Sequence, residues 1–200
     1  FSESVDVNLR VGGLTSLSTA DPVVRERGLE LLRTSDYLFA GPGSPTYALR
    51  EWAQTDVPSI ISDKLDHGGI VVFASAAALT IGARTVPVYE IYKCGHDPYW
   101  LEGLNLLGHI GINAAVIPHY DNAEGGHHDT RFCYLGERRL RLMEQELPTD
   151  HYVLGVDEHT GVILNLDAGS AEVVGNGMLT VRIDGESRTF NAGTTLDLAF

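Results

Sequence analysis

Ser75 lies in the stretch Ile70-Val71-Val72-Phe73-Ala74-Ser75-Ala76-Ala77-Ala78-Leu79, where four β-formers run into small residues and then into an Ala/Leu tract. A strand that turns sharply into a helix at a serine exposes the hydroxyl and aims helix-start N–H groups at whatever it attacks. By itself the turn fits a buried serine capping a helix better. A serine hydroxyl becomes a nucleophile only when a base takes its proton, so the eight histidines are the next question. His119 directly follows the apolar run Ala114-Ala115-Val116-Ile117-Pro118, which places it at the carboxyl end of a strand, as Ser75 is. A lone histidine there is more often structural, and the pairing with Ser75 at an equivalent position is what makes it a candidate base. The third partner should be a carboxylate that orients the imidazole. Glu90, which interrupts the apolar Val88-Tyr89-Glu90-Ile91-Tyr92, is the choice, with Asp121 and Asp157 as substitutes.

These side chains need elements to hold them. Apolar alternation predicts a strand over residues 5–11, and Asp21-Pro22 starts a helix that runs to Arg33. A short strand over 37–40 ends in the Gly/Pro turn 41–45, with helices over 46–53 and 58–67 before the strand 70–74. A strand over 114–118, an amphipathic helix over 131–146 and short strands over 153–156, 162–166, 171–174 and 179–183 follow. Strands alternating with helices predict an α/β fold: a mostly parallel sheet with helices on both faces, plus antiparallel strands near the C-terminus. In such a sheet the turns after residues 40, 74 and 118 leave carboxyl ends, where ligand crevices form.

The composition narrows the function classes. A chain of 200 residues, 44% hydrophobic and 20% charged, suits one α/β domain spanning residues 1–200. A formal net charge of −13 argues against nucleic acid or an anionic membrane as partner. No apolar run approaches the roughly 18 residues that span a bilayer. Cys94 and Cys133 form neither a metal pair nor a disulfide framework, and read as reduced thiols of a cytoplasmic protein. Phe1 is not an initiator residue, so an N-terminal segment of the full protein is expected upstream.

The same segments resemble the serine peptidase family of aspartyl dipeptidase (dipeptidase E) and cyanophycinase, whose fold is similar to class I glutamine amidotransferases and flavodoxin-like proteins. Tyr37-Leu38-Phe39-Ala40-Gly41-Pro42-Gly43-Ser44-Pro45-Thr46 resembles the family's strand and Gly-rich oxyanion segment. Phe73-Ala74-Ser75-Ala76-Ala77-Ala78 resembles its Gly-x-Ser-Ala-Gly-Ala nucleophile segment, and Ile117-Pro118-His119-Tyr120 its histidine segment. His128-Asp129-Thr130-Arg131 and Gly136-Glu137-Arg138-Arg139-Leu140 are similar to the arginine-bearing helix start, and Leu154-Gly155-Val156-Asp157-Glu158-His159-Thr160 to the family's Gly-Ile-Asp-Glu-x-Thr strand end.

The resemblance implies Ser75 as nucleophile, His119 as general base and Glu90 as the acid behind it, with the N–H groups of Gly43 and Ala76 binding the oxyanion. Arg131 would hold a substrate carboxylate, unless it pairs with Glu137 or a loop acid. Tyr120 and Ser44 complete the expected substrate-binding set. The implied activity is cleavage of small peptide or isopeptide bonds, aspartyl dipeptides or cyanophycin-like chains, through an acyl-enzyme. No cofactor or metal is expected, the partner is a small peptide, and a homodimer is left open. The chain departs from the family pattern at Pro42, Ala74 and Ala77, and alanine resists positive φ. That departure keeps a non-catalytic amidotransferase-like binding or assembly domain in view. A metal site from His119, His127, His128 and Asp129 ranks last, since adjacent side chains of extended chain diverge.

Overall fold

The computed structural model describes residues 8–13, 16 and 19–198. Residues 5–7 of the strand expected over 5–11 lie outside the described residues, and 8–11 form no regular element. The chain separates into two units, Phe1–Leu38 with Arg50–Val72, and Phe39–Leu49 with Phe73–Phe200.

In the first unit, α1 (Pro22–Thr34) begins where Asp21 accepts hydrogen bonds from the amides of Val23 (2.8 Å) and Val24 (3.3 Å). Its Leu29 is buried, as are Ile60 and Ile61 of α3 (Val57–His67). Lys64 of α3 is buried too, and its ammonium donates to the carbonyls of Arg33 and Ser35. Gly68 and Gly69, with φ of 96° and 135°, end α3 in backbone conformations that side chains resist. Strands β1 (Tyr37–Ala40) and β2 (Ile70–Phe73) pair with each other and lead from the first unit into the second. The helix α2 (Pro45–Trp52) follows β1.

The second unit continues with α4 (Ala76–Leu79), β3 (Arg84–Thr85), α5 (Val88–Tyr92), β4 (Leu101–Glu102) and α6 (Leu106–His109). Then come β5 (Ala114–Pro118), α7 (Gly136–Glu144), β6 (Tyr152–Val156), β7 (Thr160–Asn165), β8 (Ser170–Gly175), β9 (Met178–Ile183), β10 (Glu186–Asn191) and β11 (Thr195–Asp197). One sheet runs β10-β9-β6-β5 and another β11-β8-β7, while β3 and β4 form a short antiparallel pair. Strands β5 and β6 are parallel, but β6–β9, β9–β10, β7–β8 and β8–β11 are all antiparallel.

The α/β class holds, and the expectation of a mostly parallel sheet does not. The hairpins β7–β8 and β9–β10 are closed by turns of a few residues, which reverse direction, whereas a parallel return needs a crossover of a dozen residues or more. The polar strand β10 (Glu-Ser-Arg-Thr-Phe-Asn) carried no apolar signal.

Strand β5 is buried along its whole length, and its two faces feed two cores. Ile117, with Val153 of β6, packs into a cluster containing Leu140 and Met143 of α7. Val116, with Leu154, packs into the opposite cluster with Val173, Leu179 and Val181. Fully burying such side chains is worth about 1.5–3 kcal/mol each, so the β5–β6 pair is a fixed platform for whatever follows its carboxyl ends.

The helix expected over 131–146 starts only at Gly136. Before it, Phe132, Cys133 and Tyr134 take φ of 61°, 52° and 68°. Tertiary hydrogen bonds hold that left-handed turn: the Phe132 amide donates to Tyr120 O (2.9 Å) and the Cys133 amide to His119 O (3.2 Å).

Candidate active site

The turn after β2 is held from both sides. The Ala74 amide donates to Ala40 O (2.9 Å), and the Ala77 amide reaches Gly41 O (3.3 Å) and Ala74 O (3.2 Å). Between them Ser75 sits at φ 53°, ψ −122°, a conformation that costs a non-glycine residue about 1–3 kcal/mol and persists only under such constraint. Neither Ala74 nor Ala77 has positive φ, so the strained position is the serine itself. Its side chain does not cap α4. Instead Ser75 Oγ lies 2.9 Å from His119 Nε2.

His119 follows β5 and also has positive φ, 50°. The amides of Asn122 and Cys133 both donate to its carbonyl at 3.2 Å, fixing the backbone there. On the far side of the ring, Nδ1 lies 2.9 Å from Glu158 Oε1. The strand register explains the meeting: Pro118 of β5 is paired with Val156 of the parallel β6, so the residues just past both strands emerge side by side. Glu158 is further held by its amide donating to Asp121 Oδ1 (2.7 Å) and by Asn122 Nδ2 donating to Oε1 (3.3 Å). In the tautomer that carries its proton on Nδ1, that N–H donates to the carboxylate and Nε2 is left to accept from the Ser75 hydroxyl. The chain of contacts can therefore move a proton from the hydroxyl to the imidazole and stabilise the imidazolium that results.

The structure thus brings Ser75 and His119 together and places Glu158, not Glu90, behind the imidazole. Residues 88–92 form α5, with Val88 and Ile91 buried. Glu90 is left half-buried, with Oε2 buried and without a hydrogen-bond partner, and makes no bond to His119. Of its named substitutes, Asp121 accepts from the Glu158 amide. Asp157 accepts from the Met178 amide (2.9 Å), and burial raises its carboxyl above the usual range. Glu158 stood in the quoted strand-end segment, and its place just past a strand was the signal that could have found it.

Gly43 and Ala76 line a cavity of about 240 Å³ together with Ser75, His119 and Glu158. The Ala76 amide is at the first helical position, where no intrahelical acceptor exists. Leu79, Val88 and Cys133 contribute to the walls, and Tyr89, Glu124 and Tyr134 complete them. Burial pushes the Cys133 thiol up to about 12, so it is no competing nucleophile. Tyr134 donates to Glu124 Oε2 (2.6 Å), and that bond raises its phenol to about 12.

The three expected substrate-binding side chains are elsewhere. Arg131 grips Asp129 through Nε (2.9 Å) and NH2 (2.8 Å), the loop-acid pairing, and holds that carboxyl well below its usual range. Tyr120 is buried, its ring 4.4 Å from that of Phe132 and against Gly155, where a Cβ would come within 2.4 Å of Tyr120 Cδ2. Ser44 Oγ accepts the Tyr47 amide (3.2 Å) at the start of α2. Among the described residues no group of three or more His, Cys, Asp and Glu side chains could hold a metal ion, and no helix is long and apolar enough to cross a membrane.

No protein-family model matches the chain, and no curated protein matches it. Solved structures do. A peptidase from an acI-B1 Actinobacterium superposes with a TM-score of 0.64 at 20% identity, over 84% of this chain. The two chains share a fold. This chain spans 62% of that peptidase's length. A candidate peptidase E protein from Listeria monocytogenes EGD-e is similar at 14% identity, over 90% of this chain and 83% of that one, with a TM-score of 0.44.

Proposed function

We propose that this chain is a serine peptidase acting on small peptides, with Ser75 as nucleophile, His119 as general base and Glu158 as the acid that orients it. The observation that carries the reading is the pair of 2.9 Å contacts, Ser75 Oγ to His119 Nε2 and His119 Nδ1 to Glu158 Oε1, at a serine held in a strained turn. The fold shared with a named peptidase agrees with it. In the reaction Ser75 Oγ attacks the scissile carbonyl carbon while Nε2 takes its proton. The carbonyl oxygen becomes an oxyanion facing the Gly43 and Ala76 amides. Collapse breaks the C–N bond, and the imidazolium returns the proton to the leaving amine. Water then hydrolyses the Ser75 ester with His119 again as base.

The non-catalytic alternative drew on Pro42, Ala74 and Ala77, and for the two alanines the positive φ that they would resist falls on Ser75 instead. The preference for aspartyl substrates came from the family resemblance, and the arginine expected to hold a substrate carboxylate, Arg131, has its guanidinium occupied by Asp129. Fluorophosphonate labelling followed by peptide mapping tests the reading. Ser75 is expected to be the modified residue, and Ser75→Ala should abolish labelling and lower peptide turnover by about 10⁴-fold or more. Labelling that persists in the variant would sink it.

A further inference from the structure

We infer that the cavity beside Ser75 selects substrates through a cationic group, a free amino terminus or a lysine or arginine side chain, with Glu124 as the specificity-determining residue. This rests on the serine peptidase reading above and deepens it. Two carboxylates line the cavity, Glu124 and Glu158, and no lysine or arginine does. Glu158 is engaged by His119 Nδ1 and Asn122. It is also the partner that the imidazolium needs during the reaction, which leaves Glu124 to face the substrate.

Among the described residues Glu124 forms no ion pair, and its carboxylate is oriented by Tyr134, which donates to Oε2 (2.6 Å). The aromatic wall agrees with the charge. Tyr134 packs on Tyr92 with ring centroids 4.7 Å apart, and Tyr89 stands across the same cavity. Aromatic faces beside a carboxylate attract ammonium and guanidinium groups. Tyr89 already carries Lys93 over its ring at 5.1 Å, so Tyr134 and Glu124 are the pair that meet the substrate's cation. An acidic substrate meets the opposite situation. The arginine that could have received it, Arg131, is closed on Asp129 and does not line the cavity.

Peptidyl phosphonates that modify the nucleophile test this without knowing the natural substrate. Probes carry a free or acetylated amino terminus, crossed with a lysine, norleucine or aspartate side chain, and the rate of Ser75 modification is followed by mass spectrometry. At least one cationic probe should react about 10-fold or more faster than its neutral counterpart, and the aspartate probes slowest. Acetylation removes the advantage if the amino terminus is the cation, and norleucine removes it if the side chain is. Glu124→Gln should collapse the preference, and Glu124→Lys should reverse it toward aspartate. Equal rates, a preference for aspartate, or a cationic preference unchanged in Glu124→Gln would each overturn the inference with Ser75 intact. No modification of Ser75 by any probe would instead overturn the peptidase reading beneath it. Should a variant fail to fold, the ranking of probes on the unmodified protein still decides.

Discussion

Two clusters in this molecule set carboxylates against nitrogen groups, with nearly the same bond lengths and opposite characters. At the cavity, Glu158 meets His119 at 2.9 Å, and both side chains remain about a third exposed, at 35% and 37%. Behind α7, Arg182 of β9 is buried at 3% exposure and donates to Glu144 (2.9 Å) and to Glu137 (2.8 Å), with Phe132 against its guanidinium. The first pair joins a carboxylate to an imidazole, whose two ring nitrogens can face one partner each, and leaves it in reach of a substrate. The second joins carboxylates to a group that never gives up its charge, and it shuts Glu144 away from water while Glu137 keeps an exposed edge. Distance alone does not separate a candidate catalytic site from a structural cluster. Burial and the chemistry of the nitrogen group do.

Breaking each cluster should therefore fail in different measurements. Glu158→Gln keeps size and polarity but removes the charge that steadies the imidazolium, so turnover should fall by about 10³–10⁴-fold while the thermal midpoint barely moves. A variant that keeps its activity would put the orienting acid elsewhere. Arg182→Met should do the reverse. Leaving Glu144 buried without its partner costs about 3–5 kcal/mol, read as a lower denaturant midpoint, with activity per folded molecule retained.

A smaller effect is expected at the surface pair of Asp129 and Arg131. The Arg131 hydrogen bond and the amides of Glu137 and Arg131 depress the Asp129 carboxyl, so its stabilisation is complete above the ordinary carboxylate range and is lost as pH falls through the lowered value. Glu137, lowered by Arg182, contributes with the same sign. Because Asp129 is exposed, Asp129→Asn should cost no more than about 1 kcal/mol at neutral pH, and the difference from the parent should vanish in acid melts. The smallest effect sharpens the comparison most: Glu90→Gln should leave turnover within about twofold, since Glu90 makes no contact with the imidazole.

Much of the site could be read along the chain, and the reasons are local. An apolar run that stops at Ser75, and another that stops at His119, mark strand ends, and strand ends are where an open sheet presents side chains. Glu90 was misplaced because fifteen residues of chain hold a helix whose direction no spacing fixes. Arg131 and Tyr120 were assigned to the substrate from the family resemblance, which does not show what their polar tips meet in this chain. The bidentate grip of Asp129 and the packing of Tyr120 on Gly155 are invisible until the chain is folded.

The sequence by itself singled out Ser75 and His119 as candidates and several of the short runs that become strands or helices, because apolar patterning and small residues act over a few positions. Only the tertiary structure decided which acid stands behind His119. That choice depends on the register of β5 against β6, thirty-eight residues apart from Pro118 to Val156, and register is a property of a pair of strands rather than of either one. It also decided where the backbone strain falls, since the hydrogen bonds from Ala74 and Ala77 to the end of β1 force the unfavourable angle onto Ser75.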